Sequence, residues 1–298
     1  MDDAFRAGDE FLLRQGRLLE RRLFAACFLG APAAAVTAAL RGYQNDDGGF
    51  GQALEPDLRC PASLPVFTET ALAAMAAAGA ADPDLTGRAC DYLAGVADRA
   101  GAGGAVPPAV TVIEDFPRAA HWTDWTYQPA LNPTAGLAGL LYRLHCDHPW
   151  REAAARWCWQ QLESGRVPGD AHALSEVMIF LEYVPDAERA QRCAEELAGH
   201  FAAIPMFQLD PDATGYGLTP LAIAPAADSR WRALFGAGVI GAHLDKLAAA
   251  QQDDGGWPIS WEPPSEAAAL EWRGIVTLQA LRTLTSYGRL DAGGGPAR

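Results

Sequence analysis

The sequence reads QNDDGGF at residues 44–50 and QQDDGGW at residues 251–257, and these two stretches decide the fold. Each follows a run that contains alanine and leucine at helical spacing. The double glycine ends that helix with backbone angles that other residues avoid. The aspartates before it can accept hydrogen bonds from the free N–H groups at the start of the next helix. The unit is therefore a helix, a glycine turn and a second helix.

The two stretches match in phase as well as in composition, which indicates an internal duplication. A threonine lies 23 positions after the second aspartate of each copy, Thr70 in the first and Thr277 in the second. Weaker echoes of the glycine turn occur at residues 103–107, 165–168 and 214–217. We expect about five or six such helical hairpins, stacked around a circle.

Apolar residues recur at helical spacing through most of the chain, so the predicted fold class is all-α, with about ten to twelve helices. Residues 110–113 are the one short stretch that is typical of a strand. No Ser- or Pro-rich linker divides the chain, and we predict a single domain over residues 1–298. The predicted helices cover about residues 4–28, 32–43, 66–79, 84–99, 132–144, 150–163, 171–183, 186–203, 229–250 and 266–286.

Composition narrows the possible partners. The chain has 298 residues, of which 50% are hydrophobic, and this is enough to bury a large core. Its 23 Lys and Arg against 37 Asp and Glu give a net charge of −14. Such a chain repels phosphate backbones and anionic lipid surfaces, so we expect neither a nucleic-acid partner nor membrane anchoring.

Two further features predict a cytoplasmic location. The N-terminus lacks the basic region of a signal peptide, and the longest uncharged run, residues 23–40, is interrupted by Gly30 and Pro32, so it predicts two soluble helices rather than a membrane span. The six cysteines are scattered singly with no CxxC pair, which is typical of reduced, buried thiols.

The stretches at residues 44–50 and 251–257 resemble the QxxDGGW-type repeats of the terpenoid cyclase and protein prenyltransferase superfamily, which includes the squalene–hopene cyclases. The resemblance implies an α/α toroid, a double ring of inner and outer helices in the manner of an (α/α)5–6 barrel, around a central apolar cavity. In those families the motif ties helices together, so we interpret as structural the residues Gln44, Asp46, Asp47, Phe50, Gln251, Asp253, Asp254 and Trp257.

The catalytic signatures of the superfamily are mostly missing. The DxDD motif of protonation-initiated cyclases has its nearest match at residues 210–213, which lack the last aspartate. The DDxxD motif that holds magnesium and diphosphate fails because both Asp-Asp pairs run into Gly-Gly. Asp57 and Cys60 lie close together in the sequence, but no histidine completes a set of zinc ligands. Residues 145–148 are all of metal-ligating types, but consecutive residues at a helix end point in different directions and do not converge on one ion. We expect no metal and no cofactor.

Several carboxylates are candidates for catalysis. A carboxyl that protonates an alkene must be desolvated or crowded by another carboxylate. We predict Asp210 as the acid and Asp212 as its helper, because residues two apart in an extended segment project to the same side. Glu55 or Asp57 is the alternative, and Asp124 is a further candidate; turn chemistry, helix capping and loop solvation are the plainer interpretations of these acids. Acids inside apolar helices also need a partner or a raised pKa, and these are Glu69, Glu176 and Glu182.

Aromatic residues supply the candidate binding surface, because aromatic faces stabilise a developing carbocation. The connection at residues 101–131 is the longest in the chain, and we expect it to cover one mouth of the toroid with some of its rings turned inward. Arg273 is a candidate for binding a carboxylate or phosphate, although an ion pair with Glu271 or Glu266 is the plainer interpretation. The aromatic candidates are Trp122, Trp125, Tyr127, Tyr216, Trp261 and Trp272.

Three functions follow from this pattern. The first is a terpenoid-cyclase-like enzyme that cyclises or isomerises an isoprenoid or similar apolar substrate after protonation. The second is a non-catalytic ligand-binding or scaffolding protein on the same fold, which the absent DxDD favours. The third is a carbohydrate-active α/α barrel with two opposed carboxylates in an open aromatic groove. A closed apolar pocket with one buried acid would favour the cyclase. A filled centre would favour the binding or scaffolding protein, and an open cleft would favour the carbohydrate-active enzyme.

Overall fold

The chain is all-α, as predicted. The computed structural model describes residues 2–123 and 125–293. No helix in these ranges is both long and apolar enough to cross a membrane. The α-helices are α1 (Asp3–Gln15), α2 (Leu18–Phe28), α3 (Ala34–Leu40), α4 (Pro65–Ala78), α5 (Pro83–Ala100), α6 (Leu131–Arg143), α7 (Pro149–Glu163), α8 (Ala171–Tyr183), α9 (Ala187–Ala198), α10 (Pro220–Ile223), α11 (Ala237–Ala249) and α12 (Glu266–Ser286).

Three sequence predictions of local structure are wrong. The predicted helix over residues 229–250 is interrupted at Phe235 and Gly236, whose backbones are extended, so it divides into a 3-10 helix, Arg230–Leu234, and α11. The predicted strand at residues 110–113 overlaps a 3-10 helix, Thr111–Asp115, in which the Ile113 N–H bonds to the Val110 carbonyl at 3.2 Å, so the segment satisfies its backbone locally. The predicted helix over residues 4–28 is interrupted at Gly16, whose backbone is extended. Arg17 fastens the break by donating to Glu20 and to the Leu54 carbonyl. The break lets α1 and α2 take different directions.

The helices contact one another in a closed cycle. In order, α2 contacts α4, α4 contacts α6, α6 contacts α8, α8 contacts α10, α10 contacts α11, α11 contacts α12, and α12 contacts α2 again. Residues 133–141 of α6 are all buried. A Cβ atom on Gly139 would lie 2.6 Å from the Ile179 carbonyl oxygen, so glycine is what lets α6 and α8 approach so closely.

The two glycine motifs make the same hydrogen bonds. Gln44 Nε2 donates to the Gly48 carbonyl at 2.9 Å, and Gln251 Nε2 donates to the Gly255 carbonyl at 2.9 Å. The second aspartate of each motif accepts from the backbone N–H two residues later, at 3.0 Å for Asp47 and 3.1 Å for Asp254. The aromatic residue that follows is buried in both copies. The prediction that the aspartates accept from the start of the next helix is wrong, because each of these two accepts from a backbone N–H of its own turn.

The threonine that belongs to the first motif is Thr68, not Thr70. Thr277 Oγ1 accepts the Trp257 N–H at 2.9 Å, and Thr68 Oγ1 accepts the Phe50 N–H at 3.4 Å. Thr70 instead bonds to a carbonyl of its own helix. Counting along the sequence misses this offset because the connections from motif to helix differ in length.

The N-terminal helix completes the second motif. The motif at residues 44–50 packs on α5, where Gln44 Nε2 reaches the Leu85 carbonyl at 3.0 Å, and the motif at residues 251–257 packs on α1, where Gln251 Nε2 reaches the Ala4 carbonyl at 2.8 Å. α1 is therefore the spatial equivalent of α5, and the first helix of the chain closes its last repeat.

Candidate functional site

Asp57 is the centre of a cluster that joins both halves of the chain. Its carboxyl is 3% exposed and accepts a hydrogen bond from Trp272 Nε1 at 2.8 Å. His121 Nε2 lies 3.5 Å from its other oxygen. Burial raises the pKa of Asp57, while Trp272, His121 and Trp261 act in the opposite direction. These groups hold a buried carboxyl next to an exposed imidazole.

Glu55 lies beside Asp57 and is the more strongly perturbed of the two. Burial, followed by the negative charge of Asp57, raises its pKa well above the usual range, and the backbone amides of Asp57 and Leu58 oppose this only in part. Its Oε2 atom is sequestered from solvent and has no hydrogen-bond partner among the described residues. Glu55 therefore holds a proton under conditions in which an exposed glutamate is ionised.

Aromatic rings form a wall beside the Asp57 carboxyl. The ring centroids of Trp261 and Trp272 are 5.0 Å apart and edge to face, and those of Tyr216 and Trp261 are 5.6 Å apart in the same arrangement. The Tyr216 hydroxyl lies 2.8 Å from His172 Nε2. Tyr216 is 37% exposed, so the wall reaches the surface. The aromatic site is defined here as Asp57, His121, His172, Tyr216, Trp261 and Trp272.

The connection at residues 101–131 runs against the segment that carries Glu55 and Asp57. The Ala119 N–H donates to the Asp57 carbonyl at 2.9 Å, and Leu58 forms an isolated bridge with Arg118. Trp122 is buried, and its ring lies 4.5 Å from that of Trp125. This connection places His121 beside Asp57, and the Trp122 ring lies 5.8 Å from the His121 ring.

Tyr127, another candidate on this connection, is not part of the cluster. Tyr127 turns its hydroxyl outward, where it donates to Glu114 Oε1 at 2.8 Å. Asp124 lies outside the described residues.

Two further carboxyls meet where α4, α6 and α8 pack together. Glu69 and Glu176 converge over Gly136, where a Cβ atom would meet Glu176 Oε2 at 1.6 Å and Glu69 Oε1 at 3.0 Å. Burial raises the pKa of Glu69, and burial together with the neighbouring charge raises that of Glu176 well above its usual range. Two such carboxyls share a proton, because both cannot be ionised at this separation. We call Glu69 and Glu176 the carboxyl pair.

The predicted principal acid is not placed as expected. Asp210 and Asp212 are exposed, and Asp210 Oδ1 accepts the Asp212 N–H at 2.9 Å in a turn. Neither carboxylate faces a cavity, because Pro211 directs the segment along the surface, where Lys246 donates to the Pro211 and Ala213 carbonyls. The expectation that both face a cavity is corrected: the structure gives these residues turn geometry.

Arg273 has a partner that the sequence did not indicate. Its guanidinium binds both oxygens of Asp254, at 2.7 and 2.8 Å, and lies over the Phe11 ring. Glu271 pairs instead with Arg59, at 2.7 Å. Arg273 is thereby part of the second glycine motif, where it fixes the turn, and it does not reach the aromatic site.

Sequence reasoning missed three features of this region. It singled out Glu69 and Glu176 only as acids in apolar helices, and nothing in their spacing showed that they meet. No pattern in the sequence predicted His121 or His172 as a site residue. The one available signal is that His172 and Glu176 are four residues apart, which puts them on one face of α8.

Two surface cavities lie away from these groups. One of about 260 Å³ is lined by α1 and α2, and one of about 390 Å³ is lined by residues 227–240. Neither includes a candidate site residue. Among the described residues no group of three or more His, Cys, Asp or Glu is arranged to hold a metal ion.

Comparison of the sequence with known proteins gives no match, so the function must be inferred from the geometry of the site. No family model matches the chain, and no curated protein matches it.

Proposed function

We propose that this protein is an α/α toroid whose aromatic site transfers a proton from a buried carboxyl to an unsaturated, isoprenoid-like substrate, and so starts its cyclisation or isomerisation. The closed cycle of helix contacts supports the toroid. So does the pattern of partly accessible residues on α4, α8 and α12, which recur every three or four positions along each helix, as one face of a central opening requires.

The observation that carries the proposal is the position of Glu55 next to Asp57, whose carboxyl accepts the hydrogen bond from Trp272. Glu55 keeps its proton because it is buried and because Asp57 repels a second negative charge. An acid that must protonate a carbon–carbon double bond needs this property. Trp272 and His121 hold Asp57 in place, and His121, which is half exposed, connects Asp57 with solvent protons.

The chemistry then follows from the surroundings. Glu55 gives its proton to one alkene carbon, and the positive charge that develops on the other is stabilised by the faces of Trp261 and Trp272. Loss of a proton from the rearranged cation to a carboxylate ends the reaction and restores the acid. Glu176 of the carboxyl pair is four residues from His172 on α8, about 6 Å further along the helix axis. The pair is a second place near His172 that can hold a proton.

A carbohydrate substrate is the second candidate, and one observation favours it. The indole N–H groups of Trp122 and Trp125 are buried and have no hydrogen-bond partner among the described residues. Buried donors are normally paired, so these two suit a ligand that carries acceptor oxygens. Tyr216 and His121 also open the site to solvent, as a carbohydrate groove requires.

The test is turnover in deuterium oxide. Purified protein is incubated with a panel of linear isoprenoids of increasing length, and separately with a panel of oligosaccharides, and products are analysed by mass spectrometry. We expect an isoprenoid product that carries one deuterium from solvent. Glu55→Gln and Asp57→Asn should each abolish it, whereas Asp210→Asn, an exposed carboxylate, serves as the matched control.

Other outcomes separate the alternatives. Cleavage of an oligosaccharide that depends on Glu55 and Asp57 would replace the proposal with the second candidate. Retention of an isoprenoid without turnover, unchanged in Glu55→Gln, would leave the protein as a binding or scaffolding toroid. The proposal also includes a cytoplasmic location, which fractionation of cells that express the chain would check.

A further inference from the structure

Two cysteines that the proposed function does not use lie next to each other where α5 meets the connection between α6 and α7. Cys90 is in α5, and Cys146 follows the C-terminus of α6. Their Sγ atoms are 3.8 Å apart, although 56 positions separate them in the sequence. Cys90 is fully buried and Cys146 is half-buried, so only Cys146 is accessible to a small reagent. We call Cys90 and Cys146 the thiol pair.

The surroundings make the two thiols unequal. The contact between the two thiols, with the Thr86 hydroxyl and the neighbouring His148 and Arg151 side chains, lowers the pKa of the Cys146 thiol. The contact with Cys146 and burial raise the pKa of Cys90, and the Asp91 carboxylate adds to this. The accessible sulfur of Cys146 is therefore the nucleophile, and the buried sulfur of Cys90 lies beside it.

The local backbone leaves room for the two sulfurs to meet. A disulfide needs an S–S distance of about 2.05 Å, so the gap must shrink by less than 2 Å. Cys146 is in the short connection between α6 and α7, where His145 has a positive φ of 54° and residues 143, 145 and 147 are exposed. His148 holds the far end of this connection against α5 through Asp91, at 3.2 Å. A small shift of one exposed connection brings the sulfurs together.

We propose that Cys146 is an oxidation site for hydroperoxides and that Cys90 resolves it to an intramolecular disulfide. The Cys146 thiolate attacks one peroxide oxygen and the O–O bond breaks, which gives a sulfenic acid on Cys146 and hydroxide or an alkoxide. The Cys90 sulfur then attacks the Cys146 sulfur, its proton leaves with the hydroxyl group as water, and the S–S bond forms. The two sulfurs together lose two electrons, and the peroxide is reduced.

This bond closes a loop that contains the whole aromatic connection. The segment between Cys90 and Cys146 includes His121, which lies beside Asp57, and the Trp122 and Trp125 rings that follow it. A cross-link that closes a long loop restricts the unfolded chain, so the oxidised protein should melt about 5 °C higher than the reduced protein. Oxidation thus stabilises the part of the chain that carries the candidate site.

The experiment uses the full chain, reduced and then treated with hydrogen peroxide at one to ten equivalents. Trypsin cuts on both sides of each cysteine, so the linked species is the pair of peptides at residues 89–99 and 144–151, each with one cysteine. We expect this linked pair in the wild type, its disappearance with dithiothreitol, and the loss of two titratable thiols per chain. The Cys193→Ser variant, which removes a single half-buried thiol, should behave as the wild type does.

Two variants assign the roles. In Cys90→Ser the sulfenic acid has no resolving thiol, so dimedone should label Cys146; in Cys146→Ser the same dose of peroxide should leave Cys90 unmodified. A wild-type digest in which residues 89–99 and 144–151 remain unlinked at ten equivalents would overturn the proposal. So would peroxide labelling of Cys90 before Cys146. The digest of the wild type decides the matter even if a variant does not fold.

Discussion

The indole Nε1 of Trp272 donates a hydrogen bond to Oδ1 of Asp57 at 2.8 Å, although 215 positions separate the two residues. This bond connects the helix after the second glycine motif with the segment after the first one. The bond also lowers the pKa of the Asp57 carboxyl, whereas burial raises that pKa. The two copies of the repeat therefore both contribute to the aromatic site: the segment after the first motif supplies Asp57, and the helix after the second supplies Trp272.

Replacing Trp272 by Phe should raise the pKa of Asp57 further, because the donor that favours its charged form is lost while burial remains. A carbon-13 NMR titration of the Asp57 carboxyl measures this directly. The free energy of unfolding should fall by about 1–3 kcal/mol, since a buried acceptor is left unpaired. Trp150→Phe is the control, because that buried indole N–H has no partner among the described residues. An unchanged Asp57 titration in Trp272→Phe would contradict this account.

The carboxyl pair should destabilise the protein as pH rises. The pKa of Glu176 in the folded state lies above the value of about 4.3 in the unfolded chain, so the folded state retains a proton that the unfolded state releases. Stability is therefore lost from about pH 4.3 upward until the folded pKa is passed.

Glu176→Gln removes this proton and should flatten the dependence of melting temperature on pH. It should raise the melting temperature at pH 8 by several degrees, since about 1 kcal/mol corresponds to about 2–4 °C in a chain of this size class. Glu10→Gln, on the exposed side of α1, is the control and should change neither quantity. If Glu176→Gln and Glu10→Gln have the same melting temperature at pH 8, Glu176 does not retain a proton in the folded state and this account of the carboxyl pair is wrong.

Each glycine motif depends on one threonine hydroxyl. Thr68→Val and Thr277→Val should each lower the free energy of unfolding by about 1–3 kcal/mol, because each leaves a buried backbone N–H without an acceptor. Thr70→Val should cost less, since its hydroxyl bonds only within its own helix. Chemical denaturation of the three variants measures the order. If Thr68→Val and Thr70→Val lower the free energy of unfolding equally, Thr68 is not the specific partner of the first motif, and Thr70, which the sequence spacing indicated, is restored as a candidate.

Asp210→Asn should leave turnover of any substrate unchanged, and Asp212→Asn should do the same. Both carboxylates are exposed, and one of them is used in a turn. Side-by-side rates for these variants and for Glu55→Gln check this at a single substrate concentration. Loss of turnover in Asp210→Asn, with the melting temperature preserved, would restore it as the acid.

Local chemistry in the sequence determined the helices, the repeat and the groups that could form a site. Glycine at the two motifs ends helices because its φ of 88° at Gly48 and 91° at Gly255 is disfavoured for other residues, and this is a property of the residue itself. The aromatic content of residues 101–131 likewise indicated a connection that contacts the protein, and Trp122 is buried there.

Tertiary packing alone decided which of those groups meet. Glu69, Gly136 and Glu176 are on three different helices, and only the close approach of α6 to its neighbours brings the two carboxyls over the one residue without a side chain. The same holds for Cys90 with Cys146, for Arg273 with Asp254 and for Thr68 with Phe50. Helical periodicity fixes the face on which a residue lies, whereas the partner across that face depends on connection lengths and helix contacts, which a single sequence does not encode in any local pattern.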